Sequence, residues 1–341
     1  MLKKIKINKL FNNQLKETYL IAEIGNNHNG SIKLAKKMIL SAKNNGADCV
    51  KFQTFSQESL FTKKFLEKNL SLKKDLEKYI LQLSDFKLLK KFSDKNNIDF
   101  AATPFSKNEV DYLIDELKVK FVKIASMDIN NYPLIEYISK KKIPVILSTG
   151  FGNKKEIVSA INILKKNKTK YIILHCVSEY PPNNKSLNLN RISYLMKTFN
   201  VPIGFSDHTC GTDIPFAAIS LGIKVLEKHF TLNKKMKGWD HSISMNPDEL
   251  MKISNFKNKI SEAMGKDYIY RVESHKKANA FRRSIVAAKT IAKGSKISLE
   301  DLDFKRPGNG LPPKEWKQII GKKTKKKINF DEQIYFKYIQ F

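Results

Sequence analysis

Two histidines lie at the ends of successive apolar segments in the second half of the chain. His208 ends the segment IGFSDH, and His229 ends the segment VLEKH. Neutral imidazoles bind first-row divalent metals well, and water or substrate can take the remaining positions. The adjacent carboxylates of Asp207 and Glu227 are the type of group that orients such ligands through hydrogen bonds. The two segments predict a metal site if the fold brings their ends together.

Basic and hydroxyl side chains end other apolar segments in the same way. This second group consists of Lys51, Lys123, Ser126, Ser148 and Ser206. Two ammonium groups and three hydroxyls in one cavity would bind a phosphate and a carboxylate. Lysines inside strands are rarely present for packing. For the serines, and for the similar Thr103, an ordinary strand cap explains the residue equally well.

Three acids complete the set of candidates. Glu23 ends the first apolar segment, whereas Asp128 and Asp240 fall in predicted loops. An acid beside a metal and a phosphate pocket can act as a general acid or base. For Asp240 an ordinary loop carboxylate is the alternative, and we do not expect His28 or His241 to bind metal.

The segments that carry these residues predict eight strands with helical patterns between them. Such alternation indicates a parallel sheet covered by helices, and eight repeats of about 25–30 residues fit an α/β fold of the (β/α)8 TIM-barrel type. An open doubly wound sheet would need a glycine-rich phosphate loop, and GNNHNG at 25–30 lacks that spacing. The predicted strands cover 19–25, 49–53, 100–103, 121–126, 145–148, 171–176, 203–209 and 225–231.

The pattern divides the chain into two domains. We expect a barrel domain over 1–265 that opens with a hairpin over 1–18, then a polar linker over 266–280. Residues 281–341 predict a small, mostly β module with little core of its own, which would be marginal unless it docked onto something. The charged, helix-prone insert over 54–84 is long for a barrel connection, and we expect it to be a lid.

Composition limits the class of protein further. The net charge is +30, from 63 basic and 33 acidic residues, but only five of the basic residues are arginine. Because nucleic-acid readers favour arginine, we expect no nucleic-acid partner and instead a field that attracts small anions. No apolar run is long enough for a membrane helix. Cys49, Cys176 and Cys210 lack metal-ligand spacing and predict buried thiols in a reduced cytoplasm.

With these segments in place, the chain resembles the sialic acid synthase (N-acetylneuraminate or nonulosonic acid synthase) family, whose members condense phosphoenolpyruvate with an amino sugar. The tail, with RRSIVAA at 282–288 and KRPGNG at 305–310, resembles the antifreeze-like SAF (β-clip) module that ends these proteins. The barrel motifs that carry the resemblance are AEIGNNHNG (22–30), VKFQT (50–54), ATPF (102–105), VKIAS (122–126), LSTG (147–150), HCVSEYP (175–181), FSDHT (205–209), EKHFT (227–231) and GWDH (238–241).

The resemblance implies a role for each candidate residue. It assigns a divalent metal, usually Mn2+, to His208 and His229, and a catalytic role to Glu23. Arg306 would come from the partner subunit and reach the N-acyl sugar, which implies a domain-swapped homodimer. Phosphoenolpyruvate would contact Lys51, Thr103, Lys123, Ser126, Ser148 and Ser206, and the sugar would contact Gln53, Asp128, Tyr180 and Asp240.

Two departures from the family concern the substrate. The positions of Asp128 and Ser178 are often Glu and Asn in the family, on the sugar or phosphate side. The acceptor could be N-acetylmannosamine or a 2,4-diacetamido-trideoxyhexose, giving sialic or legionaminic acid. Pseudaminic acid synthesis and formation of a 9-phosphate are alternatives. The pair Asp240-His241 argues against pseudaminic acid synthesis, because that branch of the family often lacks the histidine. A metal-dependent aldolase or hydrolase on the same barrel, and a non-catalytic binding protein, are the rival classes.

Overall fold

The computed structural model describes residues 2–265 and 268–341. Two compact units divide the chain, Met1–Gly265 and Lys266–Phe341. Within the described ranges, no helix combines the length and the apolar character that a membrane crossing requires.

The first unit is built on eight parallel strands. Their hydrogen-bonded order is β3-β2-β1-β8-β7-β6-β5-β4, and the two end strands, β3 and β4, lie side by side, so the sheet curls into a barrel. The predicted TIM-type barrel is therefore confirmed. The strands are β1 (Tyr19–Gly25), β2 (Cys49–Thr54), β3 (Asp99–Pro104), β4 (Val122–Ile124), β5 (Val145–Ser148), β6 (Tyr171–Cys176), β7 (Ile203–Asp207) and β8 (Val225–His229).

Helices follow the strands, and their apolar faces pack against the outside of the barrel. The helical patterns predicted between the strands are confirmed, and the segment after β3 divides into α7 and a π-helical turn, Tyr112–Glu116. The helices are α1 (Leu2–Phe11), α2 (Ile32–Asn44), α3 (Gln57–Leu60), α4 (Lys63–Lys68), α5 (Leu70–Tyr79), α6 (Leu83–Lys95), α7 (Lys107–Asp111), α8 (Tyr132–Lys140), α9 (Lys154–Lys166), α10 (Asn184–Leu187), α11 (Asn190–Thr198), α12 (Asp213–Ser220) and α13 (Pro247–Ala263).

Side-chain alternation along the strands separates a dry end of the barrel from a polar end. Successive side chains of a strand point to opposite faces, so every second residue points inward. At the strand starts the inward residues are apolar and pack together, for example Ile21, Cys49 and Ala101. Two residues further along β1 and β2, the inward residues are Glu23 and Lys51. The polar residues therefore meet at the carboxyl ends of the strands, where barrel enzymes carry their sites.

The N-terminal hairpin predicted over 1–18 is wrong, because Leu2–Phe11 forms α1. Ile7, Leu10 and Phe11 follow the spacing of one helix face and are buried against the inward residues at the strand starts. Helix α1 thus closes the end of the barrel opposite the polar residues.

The insert over 54–84 forms three short helices, α3, α4 and α5. It has a small hydrophobic cluster of its own, in which Phe55, Leu66 and Leu76 are buried and Phe105 from the end of β3 packs against them. Helix α5 also approaches the β1–α2 loop, since a Cβ atom on Gly30 would lie 2.3 Å from the carbonyl oxygen of Lys78.

The second unit contains two short antiparallel strand pairs. Its isoleucine-rich core, which includes Ile285, Ile319 and Ile339, corrects the expectation that this module has little core. Its elements are α14 (His275–Phe281), β9 (Ser284–Ala287), β10 (Leu302–Lys305), α15 (Trp316–Ile319), β11 (Lys323–Thr324) and β12 (Ile339–Gln340).

Two further expectations need correction. The linker predicted over 266–280 is not irregular throughout, because α14 begins at His275; Lys266 and Asp267 lie outside the described residues. Of the three cysteines, Cys49 and Cys176 are buried, but Cys210 is exposed.

Candidate functional site

A cavity of about 160 Å³ lies at the carboxyl ends of the barrel strands, and we call it the inner chamber. It gathers candidate residues that are separated by up to 206 positions along the chain, from Glu23 to His229. The predicted residues that line it are Glu23, Lys51, Gln53, Thr103, Lys123, Ser126, Ser148, Ser178, Tyr180, Ser206, His208 and His229.

Two lysines and two glutamates form a buried charge network in the inner chamber. The Nζ atom of Lys51 lies 2.8 Å from Glu23 Oε2 and 3.8 Å from Glu227 Oε2, and Lys123 Nζ lies 3.2 Å from Glu227 Oε1. Burial disfavours the ammonium form of Lys51, but Glu227 and Glu23 outweigh this effect and raise its pKa. Burial likewise opposes the charge of Glu227, yet Lys123 and Lys51 hold its pKa well below the ordinary value. Lys51 and Glu227 are therefore charged at neutral pH.

Glu227 and Asp207 do not orient the histidines, contrary to the sequence-based expectation. Glu227 also accepts a hydrogen bond from the Ser206 hydroxyl at 3.1 Å, so it belongs to the lysine network. Asp207 faces away from the barrel interior, where its Oδ2 lies 2.6 Å from Lys228 Nζ. For Asp207 the reason is register, because His208 points inward and the residue next to it in the strand points outward. Glu227 is two residues before His229 and also points inward, but its partners there are the lysines.

The two imidazoles lie next to each other with ring centroids 5.5 Å apart. His208 Nδ1 lies 2.8 Å from the carbonyl oxygen of Val177, which fixes the proton on Nδ1 and leaves Nε2 as a free lone pair. Burial, with the adjacent His229 ring, lowers the pKa of His208 to about 3, so this ring is neutral at pH 7. The Tyr180 ring stacks on His208 at 4.1 Å.

This pair fits a divalent cation as a two-residue site. Nδ1 of His229 is buried without a hydrogen-bond partner in the described structure, and its nearest carboxylate oxygen is Asp240 Oδ2 at 3.7 Å. No group of three or more histidine, cysteine or acidic residues within 2–265 and 268–341 is arranged to hold a metal. A cation here would take its remaining ligands from water or substrate.

A second cavity of about 390 Å³ adjoins the first, and we call it the outer chamber. The two chambers share five residues, Gln53, Phe105, Met127, Tyr180 and His229. The insert contributes much of its wall through residues such as Leu72 and Leu76, and Asp240 lies at its edge. Asp240, which we predicted to be a site residue, therefore lines the outer chamber.

Two predicted site residues line neither chamber. Asp128 lies in the 3-10 turn Ser126–Asp128, where its Oδ1 accepts a hydrogen bond from Asn131 Nδ2 at 2.9 Å and burial raises its pKa. Arg306 belongs to the second unit, and its guanidinium carbon lies 5.2 Å from the Phe281 ring centroid.

The other three histidines of the barrel unit, His28, His175 and His241, line neither chamber. His175, at the end of β6, points away from the barrel interior, and its Nε2 lies 2.7 Å from the Leu187 carbonyl oxygen. His28 Nδ1 accepts a hydrogen bond from the Gly30 amide, and His241 Nδ1 lies 2.6 Å from Thr231 Oγ1.

Several lining residues were not singled out from the sequence. Cys176 lines the inner chamber, and Phe105 and Met127 line both chambers. The alternation of side chains along β6 predicts that Cys176 points inward. Leu174 points inward at the apolar end of the barrel, and Cys176 is two residues further along the same strand. Phe105 and Met127 follow their strands in loops, so no periodicity marks them.

Known proteins are similar to this chain over most of its length. The NeuB family profile matches residues 38–268 and the SAF domain profile matches residues 282–339. The N,N'-diacetyllegionaminic acid synthase of Campylobacter jejuni is 40% identical over 94% of this chain and 99% of that protein. The human N-acetylneuraminate-9-phosphate synthase is 34% identical over 93% of this chain and 91% of its own length.

A solved structure extends the likeness to three dimensions. The N-acetylneuraminic acid synthetase of Leptospira borgpetersenii superimposes with a TM-score of 0.71 at 37% identity, over 76% of this chain and 90% of that one. The Campylobacter jejuni relative covers 94% of the chain and therefore spans both units. The chain belongs to the NeuB family.

Proposed function

We propose that this protein condenses phosphoenolpyruvate with the open-chain form of an N-acylated amino sugar, releasing phosphate and a nonulosonic acid. One observation carries the proposal: two buried lysines and a pair of adjacent imidazoles share one chamber at the barrel mouth. Relatives that span nearly the whole chain are named as synthases of such acids.

Phosphoenolpyruvate is assigned to the inner chamber because of its charges. Before substrate binds, Lys51 is paired with Glu23 and Lys123 is paired with Glu227. An incoming phosphate and carboxylate would draw the ammonium groups from these partners, and charge-assisted hydrogen bonds to the substrate would replace the internal ones. Hydroxyls complete the proposed cradle, from Thr103, Ser126, Ser148, Ser178 and Ser206.

His208 and His229 are the proposed ligands of a divalent cation, which we expect to be Mn2+. When bound, this cation would supply Lewis-acid polarisation of the sugar aldehyde. The carbonyl of Val177 holds the His208 ring in the required tautomer.

The reaction balances as follows. The C2–C3 double bond of phosphoenolpyruvate supplies the electron pair that joins C3 to the aldehyde carbon, and the aldehyde oxygen takes a proton. Water then adds at C2, and the C2–O bond to phosphate breaks as the water oxygen becomes the C2 carbonyl oxygen. Of the two protons of this water, one balances the proton taken by the aldehyde oxygen and the other leaves with the phosphate. Glu23 Oε1 accepts a hydrogen bond from Gln53 Nε2 at 3.2 Å and is our candidate acceptor for a proton of that water. Lys51 and Lys123 stabilise the negative charge of the departing phosphate.

The sugar is assigned to the outer chamber, with Gln53, Tyr180 and Asp240 as contacts. We keep Asp128 as a candidate contact and Arg306 as a contribution from a partner subunit in a domain-swapped homodimer. A cytoplasmic location remains a prediction from cysteine usage, and no nucleic-acid or membrane partner is part of the proposal.

Phosphate release tests the proposal directly. Full-length protein incubated with phosphoenolpyruvate, Mn2+ and an acetamido sugar should release phosphate only when all three are present. Lys123→Ala should lower kcat/KM for phosphoenolpyruvate by about 100-fold, the usual scale for removing one electrostatic contact to a developing charge. Turnover of the sugar without phosphoenolpyruvate would instead favour a metal-dependent aldolase or hydrolase, and unchanged kinetics of Lys123→Ala would overturn the chamber assignment.

A further inference from the structure

We infer that the outer chamber selects an acceptor sugar whose far end is deoxygenated and acylated, and excludes one that carries a phosphate there. This inference rests on the proposed function and specifies the substrate class. It follows from what lines the chamber and from which side of the sugar must face that lining.

The wall of the outer chamber is mostly apolar. Seven of its lining residues are hydrophobic groups from the insert, the end of β3 and the β8–α13 loop: Phe55, Leu60, Phe61, Leu72, Leu76, Phe105 and Trp239. The insert residues among them belong to or pack against the hydrophobic cluster of the insert, so this wall has a structural basis. None of the described residues that line the outer chamber is a lysine or an arginine.

The chemistry of condensation fixes the direction of the sugar. The new bond forms at the aldehyde carbon, which must meet phosphoenolpyruvate at the border of the two chambers. Tyr180 and His229 mark that border because they line both. Carbons four to six of an open-chain hexose therefore extend into the outer chamber, towards the apolar wall.

A phosphate on the sixth carbon has no partner in this position. A dianion loses much of its hydration in such a pocket and finds no ammonium or guanidinium group among the barrel residues that line it. The cation proposed from outside the barrel, Arg306 of a partner subunit, is assigned to the N-acyl group of the sugar and not to its sixth carbon. The acid at the chamber edge is Asp240, whose negative charge would repel it. A methyl group, by contrast, gains from contact with the wall.

The polar atoms of the chamber suit amide N–H groups. Asn26 lines the chamber, is 7% exposed, and its Oδ1 has no hydrogen-bond partner within the described structure. Asn26 Oδ1 and the Asp240 carboxylate are both acceptors, which fit the N–H donor of an acetamido group. A phosphate offers only further acceptors.

The test compares three acceptors with the full-length protein, phosphoenolpyruvate and Mn2+, by phosphate release. They are 2,4-diacetamido-2,4,6-trideoxymannose, N-acetylmannosamine and N-acetylmannosamine 6-phosphate. We expect kcat/KM for the first to exceed that for the second by about 10- to 100-fold, the range for small apolar differences in a pocket. The 6-phosphate should not turn over.

The outcomes separate this inference from the proposed function. Phosphate release with any of the three sugars supports the proposed function. Equal or better use of the 6-phosphate would overturn the inference and would mean that a cation from outside the barrel completes the chamber. Equal or better use of N-acetylmannosamine would overturn it too. Release with none of them would remove the proposed function and this inference together.

A charge placed in the wall sharpens the test. Leu72→Lys adds an ammonium group to the lining, and it should lower kcat/KM for the diacetamido sugar while creating measurable turnover of the 6-phosphate. Leu70→Lys is the matched control, because Leu70 lies on the same helix, is 61% exposed and is absent from the lining. The inference fails if both variants keep the wild-type preference or if both change it alike.

Discussion

Charge balance at single residues decides how the inner chamber can work. Glu227 contacts both lysines and the Ser206 hydroxyl, and it is buried on β8, two residues before His229. It keeps the ammonium groups of Lys51 and Lys123 compensated while no anion is present. An uncompensated buried charge is far less stable than a paired one. The carboxylate therefore acts as an internal stand-in for substrate.

Glu227→Gln keeps the shape of this side chain and removes its charge. We expect the free energy of unfolding without ligands to fall by about 3 kcal/mol, the scale for removing one partner of a buried ion pair. Phosphoenolpyruvate should then raise the melting temperature of the variant more than that of wild type, because its charge replaces the lost carboxylate. Thermal unfolding with and without phosphoenolpyruvate measures both effects.

The pH dependence of that difference carries a definite sign. The folded-state pKa of Glu227 is lowered, so its stabilisation is present above the ordinary glutamate pKa of about 4.3 and is lost as pH falls through the folded value. The gap between wild type and Glu227→Gln should be constant from about pH 6 to about pH 9 and should close in acid. Glu249→Gln, which alters the cap of α13 outside both chambers, should show no enlarged shift with phosphoenolpyruvate. Equal shifts in both variants would contradict this role.

At the level of elements, the insert and the loop between β1 and α2 together shape the outer chamber. Helix α5 is held on two sides: the Tyr79 ring meets the Trp239 ring edge-on at 5.1 Å, and the Lys78 carbonyl lies close to Gly30. Gly30 has φ +71°, a backbone conformation that residues other than glycine rarely adopt. The position of the chamber wall therefore depends on a glycine outside the insert.

Gly30→Ala should displace α5 as well as strain the backbone. We expect a stability loss of more than about 1 kcal/mol, the typical strain of a left-handed conformation, and a higher KM for the sugar with the KM for phosphoenolpyruvate unchanged. Gly222→Ala is the matched control, since φ is +88° and nothing lies within 4 Å of its added Cβ. Steady-state kinetics measures both KM values for each variant. Equal increases in the sugar KM of Gly30→Ala and Gly222→Ala would show that Gly30 does not position α5.

The elements also show where sequence patterns were sufficient. The barrel strands were predictable because their apolar runs end in polar residues, and alternation then places Glu23, Lys51 and His229 on the inner side. Helix α1 was mistaken for a hairpin because residues 5–8, IKIN, alternate like a strand, and only the barrel end that Ile7 and Leu10 cover explains the helix. The role of Glu227 was missed because its partners come from β2 and β4, and no spacing in the sequence links them.

On the scale of the whole molecule, the lysines fall into two groups, those inside the barrel and those at the surface. The lysines that enter the barrel, such as Lys51 and Lys123, are each paired with a carboxylate. Most others are at the surface, where they create a field that attracts anionic substrates. The second unit has a hydrophobic core of its own, and Arg306 is exposed on it.

The proposed swapped dimer makes a quantitative prediction about mixed subunits. Arg306→Ala and Lys123→Ala proteins should each be nearly inactive alone, but a heterodimer would contain one site with an intact barrel and the partner's arginine. Equal amounts that assort at random into symmetric dimers would give half heterodimers, each with one active site of two, and so about a quarter of wild-type phosphate release. Co-expression with two affinity tags isolates the heterodimer, and mixing Lys51→Ala with Lys123→Ala is the control, since both defects lie in the barrel. Verified heterodimers without recovered activity would place Arg306 outside the partner's site.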